Sequence, residues 1–140
     1  MKSFNYSLEK VLNLRKHYED EAKIELGRAI GVLAELESRI FAVVAEIARA
    51  QAAQFSPENN AVQLQQYMFY LIRLDNTKER LLHEAALAEM KVEEAREAYL
   101  EASKERKVMD NHKDKCWKDY RKLSSREETK IRDDANVKRA

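Results

Sequence analysis

The chain has 140 residues, and Ala, Glu, Lys, Leu and Arg supply 76 of them, against two glycines and one proline. Such a composition belongs to long helices or coiled coils, and three breakers cannot punctuate the many turns of a sheet-containing fold. The charges nearly cancel, at 26 Lys and Arg against 25 Asp and Glu, and with 36% charged residues the apolar matter suffices only for a narrow seam rather than a thick core.

The N-terminal segment lacks the apolar stretch of a secretory signal, and the longest uncharged apolar runs, residues 40–45 and 67–72, are far shorter than the roughly 20 residues that span a bilayer. A cytoplasmic protein without transmembrane segments is expected, and the single cysteine, Cys116, agrees with a reducing compartment. Residues 101–140 carry 13 basic against 9 acidic side chains, so the remainder is net acidic and the two parts suit different partners.

Helix 1 is expected over residues 4–54. Its apolar positions are Leu8, Val11, Tyr18, Ala22, Leu26, Ala29, Leu33, Leu36, Ile40, Val43, Ile47 and Ala50, with Arg15 interposed. The steps alternate between three and four except at Tyr18, Ala22 and Leu26, where two fours in succession read as a stutter. Gly27 and Gly31 follow the stutter and suggest close helix approach or local softness.

The strong breaker at residues 55–60 is a turn. Pro57 suits the first position of a helix and Ser56 its cap. Helix 2 is expected over residues 61–127, with 128–140 a frayed or disordered tail. Its seam runs from Leu64 through Leu71, Leu81, Ala88, Val92, Tyr99, Arg106 and Met109 to Cys116, Tyr120 and Leu123 without a register break.

These elements predict an all-α fold, an antiparallel two-helix coiled coil whose second helix is the longer. Folding back at Pro57 sets residue 43 opposite residue 71 and Leu8 beside Arg106. Phe4 and Tyr6 then cover Val108 and Met109, while Cys116, Trp117, Tyr120 and Leu123 continue the seam with no intramolecular partner. An uncovered apolar stripe of this kind marks a contact surface.

The chemistry-bearing residues are sparse. Neither glycine sits in a phosphate-binding loop, and His112 with Cys116 makes only two of the four ligands that structural zinc requires. Seam packing is the reading preferred for Cys116, and neither metal nor cofactor is expected. Residues 103–126 hold nine basic side chains, but Glu105, Asp110, Asp114 and Asp119 are interleaved at helical spacing, which favours intrahelical pairing over nucleic-acid binding. No catalytic constellation is recognisable, so an enzyme is not expected. Residues 67–72 are apolar around the whole helix, and Phe41 and Val44 lie off the seam at the same level. Together they predict an exposed patch near the turn, either a partner site or a self-association surface.

The residues 4–15, FNYSLEKVLNLR, resemble the F-x-L-x-x-(L/V)-L-x-x-R opening of the FliJ family of flagellar type III export proteins. Glu19-Asp20-Glu21-Ala22 and Leu26 resemble its continuation. Residues 67–74, YMFYLIRL, are similar to the family's Y-x-x-F-(I/L)-x-x-L segment, and residues 126–135 to its closing R-E-E-x-K-x-x-D-(E/D)-x-A. The resemblance implies a non-enzymatic hairpin, similar to the rotor stalk of rotary ATPases. It would act between the flagellar export ATPase with its regulator and the export-gate protein FlhA, at the cytoplasmic face of the inner membrane, and would escort chaperones of minor filament proteins.

Carried over, the gate-binding residues are Tyr70, Leu74, Thr77 and Leu81, with Met68, Phe69, Phe41 and Val44 added by the patch argument. The terminal coil, with Trp117, Tyr120, Leu123, Lys118 and Arg121, would enter the ATPase ring. A rotor-stalk subunit of a rotary ATPase and a self-associating structural coiled coil are the alternatives. The first usually has an additional globular domain, and the second predicts stable dimers or tetramers.

Overall fold

A computed structural model describes residues 3–139, and these form two helices packed antiparallel, α1 at Glu9–Gln54 and the longer α2 at Ala61–Arg139. There is no strand among the described residues, and no helix is long and apolar enough to cross a membrane. The chain divides into two compact units, one made of residues 3–22 with 99–139, the other of Lys23–Ala98.

Two helix ends and one cap differ from the sequence expectation, while the turn falls at residues 55–60. Residues 3–8 precede the helix, and Phe4 and Tyr6 alternate there with exposed Asn5 and Ser7, a period-two pattern that turns both rings to one side. At the turn, the cap is Asn60 rather than Ser56. Gln63 N–H donates to Asn60 Oδ1 and Asn60 N–H to Gln63 Oε1, both at 2.9 Å, a reciprocal pair that satisfies two amides an uncapped helix start leaves open. Pro57 stays in the turn, while Asn59 Nδ2 donates to the carbonyls of Ala53 and Gln54 at 2.7 and 3.1 Å and closes the end of α1. Lastly, α2 continues past residue 127 through Arg139, since no Gly or Pro interrupts it; Ala140 lies outside the described residues.

The Lys23–Ala98 unit has an aliphatic seam. Ala50, Leu81, Ala85, Ala88 and Val92 are buried, and Leu26, Leu33, Leu36, Ile40, Val43 and Ile47 are half-buried along α1. Burial of a side chain such as Leu81 stabilises by about 1.5–3 kcal/mol, and the alanines let the helices approach closely. The glycines contribute nothing to that approach. A methyl group built at Gly27 or Gly31 meets no atom within 4 Å, and neither has a positive φ, so the close-packing expectation is not upheld.

The unit of residues 3–22 and 99–139 is held differently. Its buried side chains are Tyr6 and Leu12, the latter at 0% exposure. Around them lie ion pairs between the helices: Arg15 with Glu105 at 2.6 Å, Glu19 with Arg106 at 2.7 Å and Glu9 with Lys113 at 2.8 Å. Arg106 also holds Asp110.

This arrangement removes the expected stutter. The inward positions of α1 are Leu12, Arg15, Glu19, Ala22, Leu26 and Ala29, with steps of three and four alternating throughout, whereas Leu8, Val11 and Tyr18 are exposed. Selecting positions by apolarity alone replaces Glu19 with its neighbour Tyr18 and so creates a break that the helix does not have. Arg106 accordingly meets Glu19 and not Leu8.

Candidate functional site: two flanks near the turn and the terminal coil

On α2, residues 67, 71, 74, 78 and 81 face the partner helix, which leaves positions one step to either side on opposite flanks of the seam. On one flank Tyr70, half-buried, donates from its hydroxyl to Glu46 Oε1 at 2.9 Å, and the Arg73 guanidinium stands 5.7 Å from the centre of its ring. The hydrogen bond to Glu46, with burial behind it, pushes the Tyr70 phenol above its usual range. Tyr70 borders a cleft of about 550 Å³ with Tyr67, Gln66, Phe69, Arg73 and Asn59. Thr77 lies seven residues, about two turns, beyond Tyr70 on the same flank, its hydroxyl donating to the Arg73 carbonyl at 2.9 Å.

On the other flank, Met68 and Ile72 line a separate groove of about 370 Å³ with Leu71 and Asp75 of α2 and Ile47 and Gln51 of α1. Phe41, 78% exposed, and Val44 reach this flank too, because they precede Gln51 by ten and seven residues on the same helical stripe.

The expected patch near the turn is therefore not one surface. Tyr70, Phe69 and Thr77 belong to one flank, and Met68, Phe41 and Val44 to the other, where exposed Ile72 joins them. Leu74 is half-buried between the helices and Leu81 is only 5% exposed, so Leu81 is a seam residue that no docked partner touches. The expected register is shifted: Glu46 meets Tyr70, and Ile47 rather than residue 43 lines one groove with Leu71.

The terminal coil also differs from expectation. Trp117 and Tyr120 are covered by Phe4, whose ring lies 5.1 Å edge-on from the indole and 5.4 Å from the phenol, while the indole stacks on Tyr120 at 5.6 Å. Tyr6 Oη and His112 Nδ1 are hydrogen-bonded at 2.6 Å, and Val108 stays exposed. Burial, reinforced by Cys116 and Glu9, raises the Tyr6 phenol above its usual range. The stripe expected to lack an intramolecular partner is thus partly covered by the residues before α1, with Trp117 still 42% exposed and Leu123, at 60%, beyond their reach. Lys118 and Arg121 project outward.

The ion pairs have the expected electrostatic signature. The hydrogen bond from Arg106 holds the Glu19 carboxyl below the usual carboxylate range, and the same bond, with one to Asp110, raises the Arg106 guanidinium further. Cys116 Sγ lies 3.8 Å from His112 Nε2, but no third ligating group joins them, and no group of three metal-binding side chains occurs among the described residues.

Sequence reasoning missed Glu19 and Glu105 as partners across the seam, whereas Asp110 pairs within α2, as its spacing from Arg106 led one to expect. The signal for the two glutamates was present: Arg15 and Arg106 interrupted the two predicted seams, and a half-buried arginine at a seam position is best stabilised by a carboxylate within reach.

Two long helices, a single capped turn and an unbroken heptad seam are features that many coiled coils share, so the comparison with known families is what discriminates. The family model described as the flagellar FliJ protein matches residues 4–140. No curated protein and no solved structure matches the chain. A match over this span, on a two-helix fold with the longer helix second, makes the chain a member of the FliJ family of flagellar export coiled-coil proteins.

Proposed function

We propose that this protein is a non-enzymatic coupling component of flagellar type III export, joining the export ATPase and its regulator to the export-gate protein FlhA. It works at the cytoplasmic face of the inner membrane and contacts the membrane only through its partners. The family membership supports the setting, and the observation that carries the gate-binding half is the Tyr70 flank. There the half-buried Tyr70 ring and the exposed Phe69 border an open cleft, with Thr77 about two turns further along the same flank. Leu74 supports this surface from beneath, and Leu81 belongs to the fold.

The ATPase-facing half is assigned to the terminal coil, where exposed Leu123, Lys118 and Arg121 flank the aromatic cluster of Phe4, Trp117 and Tyr120. Apolar seam residues with charges beside them suit a helix that docks in a groove. Escort of export chaperones for minor filament proteins falls within the same proposal.

The gate-binding assignment is tested by titrating full-length protein into the purified cytoplasmic domain of FlhA. Tyr70→Ala combined with Phe69→Ala should weaken binding by about tenfold or more, in the range of an aromatic hot spot; unchanged affinity overturns it. For the ATPase end, Lys118→Glu with Arg121→Glu should abolish stimulation of the cognate ATPase, with both side chains pointing outward so that the fold is retained. Full stimulation by that variant overturns the terminal-coil assignment.

A further inference from the structure

The two flanks of the Lys23–Ala98 unit differ in charge pattern as well as in position. On the Met68 flank, α1 presents Phe41 and Val44 with Glu37 one turn away, and α2 presents Met68 and Ile72 followed by Asp75 and Glu79 at steps of three and four. No Lys or Arg falls on these rows. The nearest ammonium, Lys78, is half-buried and bridges to Asp75 at 3.2 Å, which leaves Glu37 and Glu79 to set the sign of the rim. The Tyr70 flank, by contrast, is mixed in sign: Arg28, Arg39 and Arg49 of α1 are each paired with a glutamate of their own helix, Glu25, Glu35 and Glu46, and Arg73 and Arg80 lie on α2.

The groove between Ile47 and Met68 is bordered on α2 by the exposed Met68 and Ile72 and on α1 by Ile47 and Gln51, with exposed Phe41 and Val44 further along the same stripe of α1. An apolar row of this period accepts the knobs of a third helix, and an acidic rim selects for cations beside those knobs and against anions.

We propose that the flank formed by Phe41, Val44, Met68 and Ile72 is a second docking surface, distinct from the Tyr70 flank, and that its occupant is an amphipathic helix of another protein whose apolar stripe is bordered by Lys or Arg. It stands independently of the gate-binding assignment, since the two flanks share no exposed residue. A protein with both surfaces can hold two helical partners at one level of the hairpin.

The test uses the full-length chain and two synthetic helical peptides of about 18 residues, five turns, with leucines at alternating steps of three and four. One has lysines flanking the leucines and the other glutamates. The lysine peptide should bind and the glutamate peptide should not, with affinity falling as salt is raised. Phe41→Asp with Ile72→Asp should weaken lysine-peptide binding by about tenfold or more, while Tyr70→Ala with Phe69→Ala leaves it unchanged. Glu37→Lys with Glu79→Lys, which alters only exposed side chains, should invert the preference between the peptides. Equal binding of both peptides, or binding indifferent to the Phe41 and Ile72 changes, overturns the proposal. So does a concentration-dependent dimer in sedimentation that Ile72→Asp dissolves, because the occupant is then a second copy of this chain. Loss of FlhA binding in the Tyr70 variant with lysine-peptide binding intact separates the two surfaces.

Discussion

The two units solve the same packing problem with different chemistry. In Lys23–Ala98 the helices meet through aliphatic side chains and alanines, and the charged residues outside form pairs within one helix, such as Glu35 with Arg39 and Glu46 with Arg49. In the unit of residues 3–22 and 99–139, the helices meet through Leu12, a few aromatic rings and ion pairs that cross from one helix to the other. The first kind of seam is insensitive to salt and mild acid. The second has electrostatic contacts that are partly exposed, hence screened and individually weak.

The comparison is tested most severely by truncating the one side chain in the ion-paired unit that is wholly enclosed. Leu12→Ala should destabilise by about 2–5 kcal/mol, as large-to-small core changes do. Hydrogen exchange should rise in residues 9–22 and 99–120 more than in residues 60–90; a uniform rise would mean that the units do not differ in local stability.

A smaller effect is expected from the charged seam. Arg106→Leu leaves Glu19 and Asp110 without their partner and should lower the denaturation midpoint, whereas Glu19→Leu combined with Arg106→Leu should recover most of the loss, because two apolar side chains pack where a lone carboxylate could not. A double variant no more stable than the single one would show that the pair is not what these side chains contribute.

Acid should act in the same place. Because the folded protein holds Glu19 below its ordinary value of 4.5, the stability it contributes is fully present above that pH and is lost as the pH falls through the lowered folded value. Exchange in the ion-paired unit should therefore rise below about pH 4.5, and Glu19→Gln should flatten that part of the profile. A profile unchanged by Glu19→Gln would remove this group as its cause.

The smallest change is a gain. Gly27→Ala and Gly31→Ala add a methyl group that meets no neighbouring atom on a backbone without positive φ. Each should stabilise the aliphatic unit by about 0.5–1 kcal/mol in thermal or chemical denaturation. A loss at either position would mean that the glycine is needed where the helices meet.

Much of the fold could be read from residue order. The scarcity of Gly and Pro, the period of the apolar positions and the cluster at residues 55–60 led to two antiparallel helices of unequal length, and the α2 seam from Tyr67 to Tyr120 lies inward as expected. Errors arose where a charged residue occupies an inward position. Glu19 turns inward because Arg106 meets it, and neither fact is visible from the apolarity of α1 alone. The candidate surfaces were legible in composition but not in grouping. Met68 and Tyr70 are two residues apart in the chain, yet each borders a different cleft.

What sequence determined by itself is local and periodic: helix, turn and a single inward stripe on each helix, all consequences of 3.6 residues per turn and of the few residues able to break it. Tertiary structure alone decided which side chains meet across the seam. It paired Glu19 with Arg106, laid Phe4 over Trp117 and divided the apolar patch near the turn between two flanks. Those outcomes depend on the register of two helices and the reach of their side chains, and neither is encoded in the pattern of one helix read alone.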